Sequence, residues 1–266
     1  MFRFLFRLLR VSAALPPVLL IGCVATPSAI DEARRGGDLA ELHTQLAVAY
    51  LEQGEYEFAR ERIDRALAMR PDYPGAHNAL GSWYRHFDRL EKAEWHYRRA
   101  IAVNPVYAEA YHDLGVLLCI TGRESDALAY FAKAIATSRA QEREMALSNA
   151  GDCAYLAGDL PKAETYLRRA LSRNMKLSGP LLTMAALSLS KGEGLSARRY
   201  LQRYLGIDGH SPRSLWLGIR IERLLGNRNA VLSYALLLKT HYPNSRETRL
   251  FRKSEFRTFE IHDQNL

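Results

Sequence analysis

Cysteine is scarce in this chain, three in 266 residues, too few for the disulfide framework that holds small secreted folds together. Long apolar runs are missing as well. No uninterrupted stretch reaches the roughly 18 to 20 residues that a membrane-spanning helix needs, which excludes a multipass membrane protein. Catalytic signatures are also lacking. The sequence holds no H-E-x-x-H, C-x-x-C, G-x-S-x-G or Walker loop, and its eight histidines have no metal-ligand spacing; no metal, cofactor or catalytic residue is expected, and the chain reads as a non-enzyme. The run from Gly192 through Gly194 to Ala197 superficially fits a dinucleotide loop. Without a preceding strand it reads as a tight turn between helices. What is present is ordinary globular composition, 48% hydrophobic and 25% charged, too apolar for wholesale disorder.

Acids are absent from the first 22 residues, where Arg3, Arg7 and Arg10 precede an apolar stretch from Val11 to Ile21 broken by Pro16 and Pro17. That order of basic and apolar regions is an export signal. Its end, Leu20-Ile21-Gly22-Cys23, resembles the lipobox of bacterial lipoproteins, in which the signal is cut before a cysteine whose thiol is acylated. Residues 1–22 are then signal peptide and Cys23 the lipidated residue, carrying palmitate-like chains. Because each buried methylene contributes about 0.8 kcal/mol, several chains anchor a protein durably without spanning the bilayer. Val24 rather than Asp follows the cysteine, which in Gram-negative lipoproteins implies the inner leaflet of the outer membrane, facing the periplasm. Removing three arginines and no acid takes the formal charge from +8 to +5. Basic pairs such as Arg98-Arg99 and Arg168-Arg169 are scattered through the chain, so no nucleic-acid partner is expected and the charge supports at most weak attraction to anionic surfaces.

A period of 34 residues runs through the rest. It links Leu46-Ala47, Leu80-Gly81 and Leu114-Gly115, Ala59 to Ala93 to Ala127, Ala66 to Ala100 to Ala134, and Pro71 to Pro105. The pattern resembles the tetratricopeptide repeat, a pair of antiparallel helices. The expected fold is all-α, a right-handed superhelical solenoid of about six repeats at 40–73, 74–107, 108–141, 144–177, 178–211 and 212–245. Two extra residues precede the fourth. Small residues allow close helix approach, and Gly54, Gly122, Gly158, Gly192 and Gly226 mark the turns that end first helices; Asp88 stands at the equivalent place in the second repeat. Residues 23–39 read as a lipidated tether without a core of its own, and 246–266 as a C-terminal cap and tail, which solenoids require.

In such solenoids the first helices line the concave face through their fifth, ninth and twelfth positions. Here these are Thr44, Val48 and Leu51, then Asn78, Ser82 and Arg85, then His112, Val116 and Cys119, with Tyr73 and Tyr107 at the junctions. The result is an apolar strip with a few polar anchors, suited to an extended peptide or a helix. His43, His77 and His112 are placed near that face, none with a carboxylate spaced to orient it. Cys119 and Cys153 fall about 200° apart around their helices at ~100° per residue and are not expected to pair.

The string Ser211-Pro212-Arg213-Ser214-Leu215-Trp216-Leu217-Gly218-Ile219-Arg220-Ile221, with the later Tyr242-Pro243-Asn244-Ser245, is similar to the last repeat of the PilF/PilW family, the type IV pilus pilotin lipoproteins. The resemblance implies an outer-membrane lipoprotein that binds the type IV pilus secretin subunit through its first repeats, residues 40–107, and promotes the secretin's localisation and multimer assembly in pilus biogenesis. The soluble form is expected to be a monomer. The competing expectation is a general periplasmic scaffold that recruits cell-envelope enzymes.

Overall fold

The computed structural model describes residues 27–263, with side chains from Leu39 to Glu255. The signal segment, Cys23 and the last three residues lie outside them. Among the described residues there are thirteen helices and no strand: α1 (Pro27–Gln53), α2 (Tyr56–Met69), α3 (Pro74–His86), α4 (Leu90–Val103), α5 (Ala108–Ile120), α6 (Glu124–Thr137), α7 (Ala140–Leu156), α8 (Leu160–Arg173), α9 (Ser178–Ser190), α10 (Gly194–Asp208), α11 (Pro212–Leu224), α12 (Arg228–His241) and α13 (Arg246–Asp263). Odd-numbered helices from α1 to α11 pair with the even-numbered helix that follows, and each also touches the next odd-numbered one. This is the six-repeat solenoid.

The 34-residue period is the spacing of one recurring helix stop. At the end of α1 the Gly54 amide donates to the Leu51 carbonyl and Glu55 to Tyr50, and the same two bonds close α3, α5, α7, α9 and α11. This double closure needs a left-handed residue just past the end of the helix. Glycine supplies it five times, and Asp88 adopts φ 55° in the second repeat, which a short polar side chain tolerates. Gly192 is such a stop, at φ +76°, so the dinucleotide-like string is an interhelical turn. Between helices the small residues sit where the period placed them: Ala59, Ala93, Ala127 and Ala163 are fully buried. The last repeat is covered by α13, whose Phe251 is 2% exposed and packs with Leu215, Ile219 and Leu238.

Three features depart from the sequence reading. Residues 27–39, expected as a tether, continue α1 as helix; Ala29 to Arg35 is rich in helix formers, and Gly36-Gly37 costs only about 1 kcal/mol per glycine. The fourth repeat begins at Ala140 rather than at 144. Its two extra residues, with a junction shortened to Ser138 and Arg139, lengthen α7 to 17 residues, and Glu142 is bonded back to the Arg139 amide in a capping box. Finally, Cys119 and Cys153 form a disulfide with Cα atoms 5.8 Å apart. Parallel helices in a stack meet through opposite sides, so residues that face each other across the α5–α7 contact must point in nearly opposite directions around their own axes. The expected separation of about 200° around the helices therefore favours the bridge instead of preventing it.

His77 is not on the concave face either. It is 6% exposed and lies between α3 and α4, with Nε2 3.0 Å from the Pro71 carbonyl and Nδ1 3.1 Å from Nδ1 of His96. His77 therefore donates to Pro71 and accepts from His96, an arrangement that requires a neutral His77 ring. Burial lowers both pKa values; for His96, burial and the nearby His77, Arg60 and Lys92 bring it to about 4. A depressed histidine stabilises the fold above its unfolded pKa near 6.5 and loses that contribution as pH falls toward 4. Acidification from pH 7 to 5 is accordingly expected to lower the melting temperature by about 2–4 °C, the equivalent of ~1 kcal/mol after screening. Calorimetry checks this, since His96→Gln should flatten the dependence.

Candidate functional site

Four odd-numbered helices and two junctions converge on a cleft of ≈ 540 Å³ in the first repeats. Helix α1 contributes Val48, Leu51 and Glu52, α3 contributes Asn78, Ala79, Ser82 and Arg85, α5 contributes Ala108, Glu109, His112 and Asp113, and α7 contributes Glu142 and Met145, with Tyr107 and Ser138 at the junctions. Val48 is 42% and Met145 55% exposed. Large apolar side chains left open to water in a concave surface are what a partner covers.

The sequence placed Val48, Leu51, Asn78, Ser82, Arg85, Tyr107 and His112 in this groove, and all seven line it. Thr44, Tyr73 and Val116 do not. Thr44 is 7% exposed, its hydroxyl donating to the Ala40 carbonyl at 2.8 Å, and its methyl fills the space beside Gly75. Tyr73 is half-buried under the Arg70 guanidinium, 4.8 Å from the ring centre. Val116 packs sideways against the core formed by Leu114, Leu117 and Phe131. Cys119 is in the disulfide.

The floor of the cleft is a polar relay that the sequence reading missed. Asn78 Nδ2 donates to Asp113 Oδ2 at 2.8 Å, Asp113 Oδ1 lies 3.0 Å from His112 Nδ1, and His112 Nε2 lies 2.8 Å from Asn149 Nδ2. His112 thus has an orienting carboxylate after all, supplied by the very next residue. With the Asn149 amide donating to Nε2, the ring proton sits on Nδ1 and points at Asp113. Both nitrogens are occupied, so the ring ties α5 to α7 and leaves no free nitrogen to act as a base.

Carboxylates dominate the rim: Glu52, Glu109 and Glu142 join Asp113, against the single guanidinium of Arg85. Their field registers on Tyr107, whose pKa is raised by burial and then by Glu109, Asp113, Tyr73 and Glu142. Glu52 and Asp113 stand next in sequence to residues that were recognised, at positions outside the expected register of five, nine and twelve. Glu142 and Met145 enter because α7 starts early. The signal for them was the two-residue insertion. Among the described residues no group of three His, Cys, Asp or Glu is placed to hold a metal, and no helix is long and apolar enough to cross a membrane.

Comparison with known proteins agrees with the repeat architecture. Tetratricopeptide-repeat family models match residues 38–105 and 96–129. The type IV pilus assembly protein PilF of Pseudomonas aeruginosa is 29% identical over 236 residues, covering 87% of this chain and 93% of that protein. The solved structure of Pseudomonas aeruginosa PilF aligns with a TM-score of 0.75 at 27% identity, covering 82% of this chain and 99% of that one. The crystal structure of PilW, a widely conserved type IV pilus biogenesis factor, aligns with a TM-score of 0.73 at 28% identity, covering 80% and 97%.

Proposed function

Since this chain is a tetratricopeptide-repeat homologue of PilF and PilW, we propose that it is an outer-membrane lipoprotein of type IV pilus biogenesis that binds the secretin subunit and promotes its assembly. The observation that supports this reading most is the cleft, a partly apolar concavity held by four stacked helices, two of which, α1 and α3, belong to the repeats at 40–107 that the family resemblance associates with secretin binding. Its action is non-covalent. Acylation of Cys23 confines the solenoid to the periplasmic face of the outer membrane, which raises its effective concentration near membrane-bound subunits. The cleft then holds an exposed secretin segment while subunits associate.

The test compares cells that make the parent, the Cys23→Ser variant or neither. Secretin is expected as a multimer in the outer membrane with the parent, as monomer without it, and as mislocalised or monomeric with Cys23→Ser, which should leave the outer-membrane fraction. Normal secretin multimers in cells lacking the chain would remove the assembly role and favour a general scaffold for cell-envelope enzymes.

A further inference from the structure

The charge of the cleft runs against that of the protein. The whole chain carries a formal +8, yet four carboxylates and one guanidinium line this concavity. Two of the acids are uncommitted: neither Glu52 nor Glu109 has an ion-pair partner among the described residues. Glu142 spends one oxygen on the Arg139 amide at 3.2 Å.

One polar group behind them is closed to water. Asn78 is 9% exposed, and its Oδ1 is buried without a hydrogen-bond partner. The amide cannot be turned to cure this, because Asp113 Oδ2 accepts from Nδ2 at 2.8 Å and an ionised carboxylate offers only acceptors. An orphaned buried acceptor of this kind costs the free protein stability, and, closed to water, it is no contact point for a ligand. Among the five charged side chains of the cleft, four would attract a cationic donor and one would repel it.

We propose that the occupant of this cleft is an extended basic and apolar segment of the secretin, in which a Lys or Arg pairs with the uncommitted carboxylates of Glu52 and Glu109 while apolar neighbours cover Val48, Leu51 and Met145. This rests on the secretin-binding reading above. Acidic segments are rejected by the same carboxylates, so the cleft selects by charge as well as by shape.

The test uses the full chain in detergent and two fluorescent probes, the peptide Ser-Leu-Lys-Val-Arg-Ser and its acidic twin Ser-Leu-Glu-Val-Asp-Ser. The basic probe is expected to bind roughly tenfold more tightly than the twin. Glu52→Lys with Glu109→Lys should invert that preference, whereas Glu57→Lys with Glu91→Lys, the same charge change on the exposed first turns of α2 and α4, should leave it intact; circular dichroism confirms folding of both. Equal affinity for the two probes, or equal response of the cleft and control variants, overturns the proposal, as does self-association of the parent that the cleft variant abolishes. Co-isolation of the secretin in the same detergent separates the two claims. Secretin retained regardless of cleft charge removes this inference and leaves the assembly role standing; charge-selective probe binding without secretin retention removes the secretin as occupant and leaves only the cleft's preference for basic segments.

Discussion

Gly81→Leu is expected to lower the melting temperature of the solenoid by roughly 6–12 °C. A Cβ at Gly81 would stand 2.6 Å from Cε1 and 2.7 Å from Cδ1 of Tyr97, closer than carbon atoms approach. The ring cannot swing aside, for Tyr97 is fully buried and its hydroxyl lies 3.1 Å from Ser82 Oγ. Leucine would also bring three further carbons, so α3 and α4 must separate along their whole contact. Overpacking of this kind costs about 1–3 kcal/mol, occasionally more, and at 2–4 °C per kcal/mol for a chain of this size the upper end gives the stated shift. Because each repeat is stabilised by its neighbours, the loss passes to repeats one and three. Gly206→Leu is the control. That glycine is helical and exposed, and nothing stands within 4 Å of its would-be Cβ, so the substitution should be neutral or stabilising by up to about 1 kcal/mol through helix propensity. A thermal melt of Gly81→Leu within a degree of the parent would mean that α3 and α4 are not in this contact.

The same contact explains why the fold was legible in the sequence. Gly81 against Tyr97, Gly115 against Phe131, Gly151 against Leu167 and Gly218 against Tyr234 are one geometric requirement met four times, and a requirement that recurs leaves a periodic trace. The turn glycines are legible for the same reason. The groove was legible only where it obeys that period: Val48 and Ser82 are found by counting, as are Leu51 and Arg85. Asp113 and Glu109 escape the count because they reach the cleft from the flank of α5 and not from its centre. Glu142 escapes because α7 starts four residues before the register expects it. The His77–His96 contact crosses from α3 to α4, and no spacing within one helix announces it. Nor does spacing give handedness of contact, which is where the reading of the cysteines failed.

Reducing the Cys119–Cys153 bridge is expected to destabilise the middle of the stack by about 3–4 kcal/mol and to loosen the cleft with it. The bridge joins α5 to α7 across a sequence separation of 34, enclosing α6, and a closed loop of that length removes about this much chain entropy from the unfolded state. Cys153 is 1% exposed and belongs to the core packed around Phe131 and Leu147; Cys119 is half-buried, so a reductant gains access through its sulfur. The two helices tied together are those that carry His112 and Asp113 on one side and Glu142, Met145 and Asn149 on the other. Once the bridge opens, only the His112–Asn149 hydrogen bond and local packing hold the two walls at their distance. Oxidised protein should therefore melt higher than protein in dithiothreitol, Cys119→Ala with Cys153→Ala should be insensitive to reductant, and hydrogen exchange in both reduced forms should quicken first between Ala108 and Leu156. Unfolded, unreduced protein should show no reactive thiol from these two residues. If both titrate as free thiols and the parent's melt ignores reductant, the bridge does not form, and the walls of the cleft are fixed by helix packing alone.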